Sequence, residues 1–168
     1  MKTIAAEIRL AETRDAAALA PVHAASWQAA YGGLIPHRSL SRMLERRGAP
    51  WWRQAIVNRA TILVVEYGGE IVGYATIGRN RTHALTVEGE IYEIYLRPEF
   101  QGIGFGRRLF DSARTLLRAR GLKGLAVWAL EDNDNALRFY EACGGVDIAT
   151  GSENFEGRIL RKVAFTFS

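Results

Sequence analysis

The sequence predicts an α/β fold: a mixed, mostly antiparallel central sheet of about six to seven strands, with helices on both faces. Three features predict it. Two β-rich runs, Thr61–Val65 and Ile71–Ile77, flank Tyr67-Gly68-Gly69-Glu70, the pattern of a hairpin. A strand–helix–strand–helix series follows, over about Gly89–Gly145. Two further strand candidates close the chain. With 168 residues, 48% of them hydrophobic and 24% charged, one domain over residues 1–168 can bury a full core.

Taken in order, the chain opens with a strand candidate at about Glu7–Leu10. Asp15 precedes a helical pattern in which Leu19, Val22, His23, Ser26, Trp27 and Ala30 share a face, and Gly32-Gly33 stops it. A second helix is expected near Leu40–Arg47. Pro50 suits the first turn of a third, which carries Trp51, Trp52, Ala55 and Ile56. After the hairpin and a polar loop, Arg79–His83, a strand covers about Gly89–Arg97 and Pro98 ends it. A helix at roughly Gly104–Ala119 closes at Gly121. Leu122–Leu130 reads as a strand. Glu131-Asp132-Asn133-Asp134 opens a helix that ends at Gly144-Gly145. The tail strands, about Val146–Thr150 and Arg158–Phe167, surround Asn154–Gly157.

Several function classes recede. No apolar run approaches the roughly 18 residues of a membrane-spanning helix, and charges in Met1–Arg9 argue against a signal peptide. The expectation is a cytoplasmic protein with no membrane partner. Cys143 is the lone cysteine, so an internal disulfide is excluded, and His23, His37 and His83 lack metal-ligand spacing; no metal is expected. Net charge is +4, but 18 acids mix with 22 bases and no basic arm appears, so nucleic acid is not the expected partner.

The informative segment is Tyr95-Leu96-Arg97-Pro98-Glu99-Phe100-Gln101-Gly102-Ile103-Gly104-Phe105-Gly106-Arg107-Arg108. Three alternate glycines between a strand and a helix let backbone N–H groups approach a bulky anion. No Ser, Thr, Asp or Asn stands at the helix entrance to satisfy those donors, and two arginines add charge at the end of the dipole that disfavours it. Both features suit a bound pyrophosphate. The segment lies after a hairpin, has no acid about 20 residues on and lacks Gly-Lys-Ser/Thr, so neither a dinucleotide fold nor a P-loop fits.

This segment resembles the acyl-CoA loop of the GNAT superfamily of N-acetyltransferases, Arg/Gln-x-x-Gly-x-Gly/Ala, matched by Gln101-Gly102-Ile103-Gly104-Phe105-Gly106. A second block, Asn133-Asp134-Asn135-Ala136-Leu137-Arg138-Phe139-Tyr140-Glu141, resembles the family's Asn-x-x-Ala-x-x-Phe-Tyr-Glu. There are departures: the block ends in Gly144-Gly145-Val146 rather than Gly-Phe, and Trp128 stands where some members carry an acid.

The resemblance implies an acetyltransferase that moves an acetyl group from acetyl-CoA to a primary amine, directly in a ternary complex. The acceptor would be a small-molecule amine or a protein amino group. Pantetheine would lie against the backbone of Ile94, Tyr95 and Leu96, with the Leu96 N–H polarising the thioester carbonyl. The loop from Gly102 to Arg107 (Gly102, Ile103, Gly104, Phe105, Gly106, Arg107) would hold the pyrophosphate, and Gln101 before it would also bind the cofactor. Asn133 would contact pantetheine, or serve as a plain N-cap. Tyr140 would donate a proton to the departing thiolate, though its spacing also fits a core residue.

An amine that arrives protonated needs a base. Glu93 is favoured, with Glu90 next; alternation puts Glu88 and Glu90 on one face and Glu93 on the other unless a bulge intervenes. Trp27 and Tyr31 would wall the acceptor cleft, and Trp128 would line it or fill the core. His23 reads as a packed histidine and Cys143 as a buried small residue. A non-catalytic acyl-CoA-binding regulatory module of the same fold is the alternative. Many relatives pair, so a homodimer stays open.

Overall fold

A computed structural model describes residues 5–168. Met1–Ile4, part of the charged start noted above, lie outside the described residues. Seven strands form one sheet: β1 (Ala6–Leu10), β2 (Thr61–Tyr67), β3 (Glu70–Arg79), β4 (Gly89–Leu96), β5 (Leu125–Leu130), β6 (Val146–Phe155) and β7 (Arg158–Phe167). Among the described residues, five α-helices accompany them: α1 (Ala16–Tyr31), α2 (His37–Arg46), α3 (Ala49–Val57), α4 (Phe105–Ala119) and α5 (Asp134–Ala142).

The order across the sheet is β1-β2-β3-β4-β5-β7-β6, and only the β4–β5 pair is parallel. A crossover helix between β4 and β5, α4, explains that one parallel pair. On its face, Leu109, Phe110, Ala113 and Leu117 of α4 and Tyr140 of α5 pack with Val72, Ala75, Ile91, Val127 and Phe165 of the sheet. On the other face Leu19 and Val22 of α1 and Trp52 of α3 meet Ile62, Val64 and Tyr74. Each fully buried Leu, Ile or Phe contributes about 1.5–3 kcal/mol of burial free energy. Among the described residues, no helix is long and apolar enough to cross a membrane.

Several boundaries differ from the sequence reading. Strand β5 starts at Leu125, not Leu122, because Gly124 turns the chain at φ +69°. Helix α2 starts at His37, since Pro36 sets an extended entry. Strand β6 continues to Phe155 because its pairing with β7 runs to Phe155↔Arg158, although Ser152–Asn154 are polar and exposed.

The most consequential irregularity is in β4. Thr76 of β3 faces Glu93 while the next residue, Ile77, faces Ile91, so Tyr92 is an extra residue in β4. This bulge reverses the alternation beyond it. Ile91, Ile94 and Leu96 pack on the α4 face, whereas Glu93 and Tyr95 join Glu90 on the α1 face. Plain alternation would have separated Glu90 from Glu93.

Candidate active site

Strands β4 and β5 pair only over Gly89↔Leu125, Glu90↔Ala126 and Ile91↔Val127, then part. From Tyr92 to Leu96, β4 therefore has a free edge on the β5 side. The Arg97 N–H donates to Val72 O in β3 at 2.8 Å. Backbone groups point to alternate sides along a strand, so Ile94 and Leu96 direct their N–H groups into the gap, and Tyr95 directs its own toward β3. Of the three residues expected to line a coenzyme, two direct their N–H groups into the gap. The Leu96 carbonyl accepts from Gln101 Nε2 at 3.1 Å, which leaves its N–H as the free group.

Close approach of β3 makes this geometry. A Cβ on Gly73, which faces Leu96, would lie 2.8 Å from Tyr95 O and nearer still to Leu96 Cδ2. Only glycine lets β4 sit there undisturbed.

Beyond the short turn at Pro98–Phe100 the chain enters α4 through Gly102 (φ +77°) and Gly104 (φ +93°). Gly104 is the N-cap, in the left-handed region, and no side chain caps the helix. Among the described residues, the N–H groups of Gly102, Ile103, Gly104, Phe105, Gly106 and Arg107 have no protein acceptor; the first bonded amide is Arg108, to Gly104 O. A run of six unpartnered donors leading into a helix N-terminus fits a diphosphate. The two arginine side chains turn elsewhere: Arg107 to Ala142 O and Asp111, Arg108 to Ala6 O. Anion attraction in the loop is thus mainly a backbone property.

At the mouth of the gap, Asn133 caps α5 by accepting the Ala136 N–H at 3.2 Å, which leaves its Nδ2 hydrogens available. Tyr140 is 6% exposed, its ring set against Phe139 and Phe165, and its hydroxyl has no hydrogen bond among the described residues. Burial, reinforced by Tyr31, pushes this phenol well above the usual tyrosine range, so it stays protonated near neutrality. The Cys143 thiol is also buried and pushed up, which suits an inert thiol better than a nucleophile.

On the α1 face, Glu93 sits in a dense network. Its oxygens accept from Arg47 Nη1 and Nη2, both at 2.8 Å, from Tyr74 Oη at 3.2 Å and from Thr76 Oγ1 at 3.4 Å. Arg47, just after α2, lies over the Trp51 and Trp52 rings at 4.1 and 4.6 Å. Trp27 Nε1 donates to Tyr74 Oη, and the Tyr31 and Tyr95 hydroxyls are hydrogen-bonded. Burial raises the Tyr31 phenol to about 12, a shift its bond to Tyr95 partly opposes. Trp27 and Tyr31 thus stand over the Glu93–Tyr95 stretch of β4 and pack against Ile35, Leu130 and Phe155.

Two expected members stand apart from this group. Glu90 is buried and paired with Arg81 at 2.8 Å. Trp128 packs near Gly151 and beneath Lys162 on the β6–β7 side. Arg47, Tyr74 and Thr76 were not identified from sequence. The bulge would have had to be known to aim Glu93 at them, and Arg47 looks like any arginine ending a helix. Among the described residues, no three His, Cys, Asp or Glu side chains group as metal ligands.

Comparison with known proteins agrees with this geometry. The sequence profile of the acetyltransferase (GNAT) family matches residues 24–145. The uncharacterized N-acetyltransferase YuaI of Bacillus subtilis is 29% identical over 156 residues, covering 93% of this chain and 89% of that protein. A GCN5-related N-acetyltransferase structure from Rhodopseudomonas palustris superposes with a TM-score of 0.77 at 22% identity, covering 100% of this chain and 99% of that one. The PaiA N-acetyltransferase of Thermoplasma acidophilum, solved in complex with coenzyme A, gives 0.75 at 16% identity, over 94% and 98%.

Proposed function

The chain belongs to the acetyltransferase (GNAT) family, and from that premise we propose that it moves an acetyl group from acetyl-CoA to a primary amine, directly, within a ternary complex. One observation carries this reading. An open β4 edge is followed, after the short turn at Pro98–Phe100, by six unpartnered N–H groups at the entrance of α4. An extended pantetheine with a diphosphate at one end matches that surface, since strand-like pairing needs a free edge and the diphosphate needs converging donors. The bound coenzyme of the Thermoplasma relative supports the same choice of donor.

Each step then falls to residues of the chain. The Leu96 N–H holds the carbonyl oxygen as negative charge develops there. Tyr140, which keeps its proton, gives a hydrogen bond to the departing thiolate. A free thiol titrates near 8.5, so full proton transfer from the raised phenol is uphill; the hydrogen bond does the stabilising, and the thiolate takes its proton from solvent as it leaves. Glu93 is the carboxylate that β4 presents on the face covered by Trp27 and Tyr31. Its oxygens are already engaged by four donors, so it takes the amine proton through water or after one donor gives way. Trp27 and Tyr31 wall the acceptor side, and Asn133 Nδ2 meets the coenzyme.

The test is acetyl-CoA-dependent thiol release with a panel of primary amines. Tyr140→Phe should lower kcat by at least about tenfold and leave the KM for acetyl-CoA in place. Unchanged turnover removes Tyr140 from the acid role. Thermal protection by coenzyme A without turnover of any amine would support a binding module instead.

A further inference from the structure

Behind the Glu93 carboxylate lies a polar cluster that the proposed transfer does not use. His23 and Ser26, one turn apart on α1, are 0% and 2% exposed. Both ring nitrogens of His23, Ser26 Oγ, Trp52 Nε1 and Arg47 Nε are buried without a hydrogen-bond partner. The His23 and Trp52 rings and the Arg47 guanidinium share one neighbourhood, and Ser26 lies one turn along α1 from His23. The His23 ring stands 4.8 Å from Trp27 and 5.8 Å from Trp52, centroid to centroid, and the Arg47 guanidinium lies 5.9 Å and 4.6 Å from the same two indoles.

Buried polar groups are almost always satisfied, and leaving several unpaired in one place is very costly. The set cannot complete itself. Arg47 Nε–H and Trp52 Nε1–H can only donate, and a neutral imidazole has one donor and one acceptor. Donors outnumber acceptors, and none of the five atoms bonds to another. Water supplies two acceptor lone pairs and two donors, and buried waters typically bridge such groups.

We infer that His23, Ser26, Trp52 and Arg47 enclose one or two buried water molecules, and that through them His23 is a positioning residue which holds the Arg47 guanidinium against Glu93. Two of the Arg47 nitrogens grip Glu93. The third, Nε, is the handle by which the fold orients the fork. Burial and the nearby Arg47 charge keep His23 neutral, so it retains an acceptor nitrogen for this purpose. The effect on catalysis rests on Glu93 serving the acceptor amine; the water site itself does not.

The experiment has two arms. In the first, proton exchange at Arg47 Nε is followed by NMR in the full-length protein. His23→Leu should speed exchange by at least about tenfold, while His23→Gln, which keeps a donor and an acceptor, should stay within about twofold of wild type. Exchange unchanged in His23→Leu overturns the inference. Should His23→Leu not fold, the wild-type His23 nitrogen shifts decide. One neutral tautomer with both nitrogens hydrogen-bonded supports the site, and nitrogens free of hydrogen bonds overturn it.

In the second arm, His23→Leu should lower kcat/KM for the amine about tenfold at unchanged KM for acetyl-CoA, and His23→Gln should restore it. Equal losses in both variants would mean a merely structural histidine and overturn the positioning role. If the wild type turns over no amine, the acetyltransfer proposal fails, while the NMR arm still decides the water site.

Discussion

The sharpest quantitative consequence of the fold concerns His23 and acid. An unfolded histidine titrates near 6.5, whereas burial, helped by Arg47, brings the folded His23 down to about 3. Between those values the unfolded chain binds a proton that the folded chain refuses, so stability rises with pH. This contribution is fully present above about pH 6.5 and is lost progressively as pH falls toward about 3. At about pH 5, a single site with these constants has lost about 2 kcal/mol, a sizeable share of a typical domain's 5–15 kcal/mol. The assay is urea unfolding of the wild type and of His23→Gln at about pH 8 and about pH 5. Carboxylates such as Asp15, held low chiefly by Arg9, act equally in both proteins and cancel in the difference. The wild type should lose about 2 kcal/mol more than the variant across that interval. Parallel losses would refute the placement of a neutral, proton-refusing His23 between α1, α3 and β3.

Three further outcomes follow from the site. Gly73→Ala drives a methyl into Leu96 and the Tyr95 carbonyl; it should cost about 1–3 kcal/mol in thermal unfolding and lower the transfer rate by shifting the Leu96 N–H. Gly104→Ala forces a side chain into the left-handed region at φ +93°, although nothing crowds its Cβ; it should cost about 1–2 kcal/mol and weaken coenzyme A binding in calorimetry. Cys143→Ala removes a buried thiol that has no chemical task; turnover should stay within about twofold and stability within about 1.5 kcal/mol.

Much of the architecture could be read from local chemistry. Gly68-Gly69 announced the β2–β3 hairpin, and the glycine run at 102–106 without a polar residue announced the uncapped entrance of α4. What escaped was set by pairing between distant segments. Polar Ser152–Asn154 belong to β6 because β7 bonds to them, and nothing in their own composition says so. Arg47 meets Glu93 only because α2 ends over the α1 face of β4, a contact between residues 46 positions apart. The free edge needed one more fact, that β4 and β5 separate after Ile91, and that is a property of two strands together.

One inserted residue ties these features to one another. With Tyr92 bulged out of register, the four β4 residues that follow keep a regular antiparallel ladder with β3 but face opposite to the pattern before it. Glu93 and Tyr95 thereby turn toward Trp27, Tyr31 and Arg47, and Ile94 and Leu96 turn toward α4. The bulge also falls at the position where the pairing of β4 to β5 ceases, and bulges disrupt a ladder locally. The gap beside β4 and the orientation of the Glu93 carboxylate thus share one cause. Had Tyr92 been accommodated without a bulge, Glu93 would point into the apolar layer under α4, where an unpaired carboxylate costs several kcal/mol. The Arg47 fork and the bulge therefore stand or fall together.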